Sequence, residues 1–103
     1  MTRPSTSDSA FVHHGTTFVW GPAKAAQNLE KHGVTFEEAA TVFDDPLFVL
    51  QDASRNDERR DAAIGFSSTG RLLTVVHIEV HDDSIRLSSA RRASATEETI
   101  YAQ

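Results

Sequence analysis

The chain has 103 residues, a net charge of −5 and 39% apolar content, which bounds it to one domain around a single hydrophobic core. No apolar run approaches the ~20 residues that span a bilayer, no signal-peptide pattern opens the sequence, and a cytoplasmic location is expected. Cysteine is absent, so neither a disulfide framework nor a thiolate metal site can form within this sequence. The acidic balance argues against clinging to nucleic acid through the overall field. Its distribution is uneven, because seven of the ten basic residues fall between Arg55 and Arg92 and all seven are arginine. Arginine is the side chain whose planar fork suits phosphate.

Residues 1–16 are rich in Ser and Thr and are expected to form a flexible segment, leaving residues 17–103 as the folded domain. His13-His14 invites a metal reading, but adjacent histidines on a mobile segment have no preformed site, and no metal is expected. Residues 17–20 read as a short strand, punctuated by Gly21-Pro22. Residues 23–32 read as a helix, with Ala25 and Leu29 on one face, Pro22 at its first position and Gly33 past its end. Lys31 and His32 fall in its last turn, where cations complement the helix dipole. For the following helix, Thr35 and Glu38 match a capping box and Val34 and Ala39 a hydrophobic staple. Phe36, Ala39, Ala40 and Phe43 make its apolar face, and Asp44-Asp45-Pro46 stops it.

Residues 47–51 read as a strand, residues 52–60 as a polar loop and residues 61–67 as another strand. Ser68-Thr69-Gly70 is a three-residue hairpin connection with Gly placed for positive φ. Residues 71–93 then carry the longest apolar run, a turn-like break at His81-Asp82-Asp83-Ser84, and a second run ending in Arg91-Arg92. Neither half contains Pro or Gly, so both suit a ladder. Strict alternation puts Ile85, Leu87 and Ser89 on one face and Arg86, Ser88 and Ala90 on the other. His81-Asp82-Asp83 reads as a solvated hairpin tip. Residues 93–102 close the chain as a short helix capped by Ser94 with Glu97 three residues on. This order predicts an α+β domain, one mostly antiparallel sheet with two N-terminal helices and a short C-terminal helix packed on one face.

The chain resembles the BrnT-type toxins of bacterial type II toxin–antitoxin pairs over residues 18–101. The resemblance is carried by Trp20 with Pro22-Ala23-Lys24 and Asn28; by Lys31-His32-Gly33-Val34 with Phe36-Glu37-Glu38-Ala39; and by Val42-Phe43 with Asp45-Pro46. It continues through Glu58-Arg59, Ile64-Gly65, Arg71-Leu72-Leu73 with Val75-Val76, and Ile85-Arg86 with Ser89-Ala90-Arg91 and Ala93, then Glu97 and Tyr101. It implies a RelE-like ribonuclease fold and an endoribonuclease that inhibits translation without a cofactor. It also implies a BrnA-type antitoxin in a hetero-oligomer, RNA as substrate, operator DNA contacted only through the antitoxin, and no membrane role. The acidic cluster Glu37, Glu38, Asp44 and Asp45 is an expected counterpart for a basic antitoxin segment.

Metal-independent RNA cleavage needs a base for the 2′-hydroxyl, cations for the phosphorane and an acid for the 5′-oxygen. Arg86 and Arg91 are the first candidates for the cations, with Arg59 and Arg71 as supports; the competing role is a solvated sheet face or an ion pair with Glu58 or Glu79. His77, His32, Glu58 and Tyr101 are the candidates for proton transfer. His77 shares a strand face with Leu73 and Val75, so it reads more readily as a satisfied core histidine than as a catalytic one. Lys31, His32, Arg71 and Tyr101 are expected to bind RNA, Tyr101 by stacking on a base or else by capping the core. The acidic balance and Glu98 raise an alternative: a catalytically weak binding module that serves as antitoxin partner and co-repressor.

Overall fold

A computed structural model describes residues 8–80 and 83–103. Among these residues are six strands and three α-helices, in the order β1 (Ser9–His13), β2 (Thr16–Trp20), α1 (Pro22–His32), α2 (Phe36–Ala40), β3 (Val49–Asp52), β4 (Asp61–Phe66), β5 (Leu72–Glu79), β6 (Ser84–Arg92) and α3 (Ala95–Ala102). The strands form one sheet in the order β1-β2-β6-β5-β4-β3. Neighbours are antiparallel except β2 and β6, which run parallel over three pairs, Thr17 with Ser84, Phe18 with Ile85 and Val19 with Arg86. The architecture is α+β, as expected, with a mixed sheet.

The flexible segment expected through residue 16 needs correcting from residue 9 onward, because β1 pairs along its whole length with β2. A two-residue turn joins them, with φ of 50° at His14 and 82° at Gly15. Positive φ at both positions marks the turn whose twist matches a hairpin. Phe11 then packs its ring against Trp20 at 6.3 Å. Residues 1–7 and the hairpin-tip residues His81 and Asp82 lie outside the described residues.

The core lies on one sheet face. Leu73, Val75, Leu87 and Ala90 meet Phe18, Trp20, Val34, Phe36, Ala39, Ala40 and Val42 there, so the apolar stripe of α2 is buried as its spacing predicts. After Ala40 the helix tightens into a 3-10 turn, Thr41–Asp44. Thr35 caps α2 by accepting from the Glu38 amide at 3.0 Å. The Glu38 carboxylate does not complete the box; it accepts instead from Arg71, Ser67 and Thr69. The capping box in α3 is complete, with Ser94 and Glu97 bonded both ways.

Two expectations about faces are corrected. First, the register passes from Val76 opposite Ser89 to His77 opposite Leu87, so Ser88 is an extra residue in β6. Such a bulge resets the alternation, and Leu87 and Ala90 both turn to the core. Second, Thr74 alternates with Leu73 and Val75 and so points to the opposite face, where its hydroxyl donates to Glu97 of α3 at 2.8 Å. The C-terminal helix therefore covers the face that α1 and α2 leave open.

The anchor of α1 is a polar residue. Asn28 is buried, and its Nδ2 donates to the carbonyls of Val34 and Ala90 at 3.0 and 2.9 Å while its Oδ1 accepts from the Ala90 amide at 3.0 Å. The β2–β6 pairs end at Arg86. Past that point the Asn28 amide takes the place of a neighbouring strand at Ala90. Leu29, expected on the buried face, is 48% exposed.

Candidate functional site

Residues three and four apart share one stripe of a helix, and α1 presents Lys24, Gln27, Asn28 and Lys31 in this way. The grip of Asn28 on Ala90 sets that stripe beside β6. Between them lie two adjoining hollows, about 140 and 180 Å³, which share Lys24 and Ser88 as walls. The first is completed by Gln27, Asn28, Lys31, His32 and Ser89, the second by Gly21, Arg60, Ile78, Arg86 and Leu87. The groove opens just past the last β2–β6 pair, at the Ser88 bulge, where the sheet is interrupted.

Among the described residues, four cations line this groove, Lys24, Lys31, Arg60 and Arg86, and no acid does. Acids reach the cations from outside. Asp8 accepts from both terminal nitrogens of Arg86 at 2.8 and 3.2 Å. The guanidinium holds the Asp8 carboxyl below its usual range, and the carboxylate raises that of Arg86 in return. Arg60 donates to Glu58 at 2.7 Å. Its Nε, by contrast, is buried without an acceptor, the one side-chain atom so placed among the described residues. Buried donors are nearly always satisfied, so this nitrogen is an exception within the fold.

The structure places Lys31 and His32 on the first hollow and Arg86 on the adjoining one, and leaves the other sequence candidates elsewhere. Arg91 lies on Glu97, which also binds Thr74 and the Ser94 amide. These donors, Arg91 first, pull Glu97 down to about 2. Arg71 is held by Glu38 and by the Gly33 carbonyl, and Glu38 falls likewise to about 2, again chiefly through its arginine. The partners of these arginines are thus Glu97 and Glu38, not Glu58 or Glu79. His77 is buried, with its ring 5.0 Å from Phe43 and its Nδ1 at 3.2 Å from the Val75 carbonyl. Tyr101 donates to Asp45 at 2.6 Å and packs edge-on against Phe66. Arg59 is exposed, 3.8 Å from Asp61.

Sequence reasoning passed over Lys24 and Arg60 as site residues. The spacing of Lys24 and Lys31, two helical turns apart, was the signal for the first; Arg60 had none. The acidic cluster also reads differently in three dimensions. Glu38 serves Arg71, Asp44 meets His13 and His14, and Asp45 binds the Leu47 and Phe66 amides and Tyr101. Three of its four acids are thus engaged within the chain, which leaves less of the cluster for a basic partner than expected.

Fold and groove together define a small α+β domain with a cation-lined cleft between α1 and β6. The family model for the ribonuclease toxin, BrnT, of type II toxin–antitoxin systems matches residues 20–97, and the chain belongs to this family of toxins. The matched span contains the whole groove and stops short of the β1–β2 turn. Membership in a type II pair implies a protein antitoxin as partner. A search of curated proteins found no match. Among the described residues no helix is long and apolar enough to cross a membrane.

Proposed function

We propose that the chain is an endoribonuclease toxin that binds RNA in the groove between α1 and β6, cleaves it without a metal and so inhibits translation. The observation that carries this reading is the set of four cations, Lys24, Lys31, Arg60 and Arg86, that line the groove with no acid in its walls among the described residues. Lys24 and Lys31 hold successive phosphates. Arg60 and Arg86 lie against the scissile one, where guanidinium donors match its oxygens. The substrate's own 2′-hydroxyl attacks phosphorus, its proton passes to a base, and the P–O5′ bond breaks as O5′ takes a proton. The products carry a 2′,3′-cyclic phosphate and a 5′-hydroxyl.

Imidazole is the side chain suited to proton exchange near neutral pH, and His32 lines the groove. His77 acts as packing in this scheme. Arg91 and Arg71 stiffen the scaffold, and Glu58, Arg59 and Tyr101 act at its margins. The cognate partner is a BrnA-type antitoxin, through which alone the complex meets operator DNA.

The test is cleavage of a short RNA by the purified chain in the presence of a chelator. Wild type cuts, a 2′-deoxy substitution at the cut site blocks it, and Arg86→Ala slows it about 100-fold, as loss of a transition-state donor does. The Asp8–Arg86 pair favours a second reading, in which the groove is plugged and the chain is a binding module. Antitoxin binding with no cleavage at low salt would select it.

A further inference from the structure

His13 and His14 are neighbours in sequence, and neighbours on a strand point to opposite faces. Here they do not. The positive φ of His14 swings its side chain to the same side as that of His13, and the two rings stack with centroids 4.1 Å apart. Phe11 stacks on the other side of His13, its ring 5.7 Å away and tilted by 12°, which fixes the His13 plane. Both imidazoles converge on one carboxylate thirty residues further along. His13 Nε2 lies 2.6 Å from Asp44 Oδ2, and His14 Nδ1 lies 3.0 Å from Asp44 Oδ1. One donor atom from each of the three residues falls within 4.8 Å of the others.

We propose that His13, His14 and Asp44 form a site for a divalent transition-metal ion, zinc being the best match, which pins the β1–β2 turn to the end of the 3-10 turn. Two imidazoles and a carboxylate are a donor set typical of zinc, with water completing four ligands. Zinc bonds of ~2.0–2.1 Å set tetrahedral donors roughly 3.3 Å apart. The two imidazole–carboxylate separations, 2.6 and 3.0 Å, open by roughly 0.7 and 0.3 Å to reach that spacing, as the ion displaces the shared protons. His14 is exposed on its outer side, with a side-chain accessibility of 74%, which gives the ion an entry path and room for water. The two histidines precede the segment matched by the family model, and none of the three residues is among those that line the groove between α1 and β6.

The experiment titrates chelator-treated full-length protein with zinc by calorimetry and repeats the titration with cobalt followed by its visible spectrum. One ion binds per chain, cobalt gives the intense bands of a four-coordinate site, and zinc raises the melting temperature. His14→Asn, a residue that accepts the same positive φ, keeps the fold and weakens binding roughly tenfold or more. Asp44→Asn removes the thermal shift. No saturable binding overturns the proposal. So does binding that both variants leave unchanged, since the ion then sits elsewhere, for example on His32. None of these readouts depends on RNA cleavage.

Discussion

Arg91 lies in a forked contact with Glu97, its two terminal nitrogens donating to the two carboxylate oxygens at 2.8 and 2.9 Å. Thr74 from the neighbouring strand and the Ser94 amide share the same acid. The carboxylate therefore ties together a strand pair and the first turn of α3. Glu97→Gln is expected to lower stability by about 1–2 kcal/mol, from the weakened pair and cap. Urea denaturation measures this. RNA cleavage per folded molecule should stay within about a factor of two, as expected for a residue outside the transition state.

Acid sensitivity follows from the same chemistry. Glu38 and Glu97 titrate at about 2 in the folded chain against an ordinary 4.5, so the native state favours their ionised forms. Their contribution is fully present above pH 4.5 and is lost as pH falls from there toward 2. Glu38 contributes on the order of 2 kcal/mol, and Glu97 less because its partner Arg91 is 42% exposed. Stability measured from pH 6 to 2 should decline across that window. Glu38→Gln should flatten the decline; an unchanged slope would count against the Arg71–Glu38 contact as its source.

The proposed binding of RNA by Lys24 and Lys31 carries a salt signature. Each phosphate contact to a single strand contributes about 0.7 to the slope of log affinity against log salt. Lys24→Ala and Lys31→Ala should each reduce the slope by about that amount for an RNA in which cleavage is blocked. Both positions are exposed, so melting temperature should hold. Equal slopes for variant and wild type would place RNA elsewhere.

In the proposed mode of RNA binding, Asp8 and phosphate share Arg86 as their partner. Asp8→Asn removes the competing charge, and RNA affinity should rise about two- to fivefold at low salt. Fluorescence anisotropy with a short labelled RNA reads this directly. The Asp8→Asn, Arg86→Ala double variant should lose the gain, which separates release of Arg86 from a general change of charge.

Much of this fold is visible in the chain. Helix α2 announces itself through Thr35 and a clean apolar stripe, and α3 through Ser94 with Glu97, because caps and periodicity are local physics. The hairpin at Ser68-Thr69-Gly70 is equally local, with Gly70 at φ 86°. What stayed hidden was non-local. A bulge at Ser88 depends on how β5 and β6 settle against each other, and no single strand records it. The strand Ser9–His13 sits in polar sequence and gains order only by pairing with Thr16–Trp20. The arginine cluster was legible as phosphate-seeking chemistry, but the carboxylates that engage Arg71 and Arg91 lie 33 and 6 residues away. Burial of a charge partner decides such roles, and sequence carries no distances.

The hydrogen bonds from Asn28 to Ala90 bear on how another polypeptide can join this sheet. A strand can be added only where a run of amides and carbonyls faces outward unpaired. On β6 that run is broken, since β2 takes its first residues and the Asn28 amide claims both backbone groups of Ala90. What lies between is too short to template a strand. The rims of the sheet are β1 and β3, and β3 carries the exposed side chain of Leu50. A partner that zips on as a seventh strand must therefore dock at a rim, and one that covers the groove must do so with side chains.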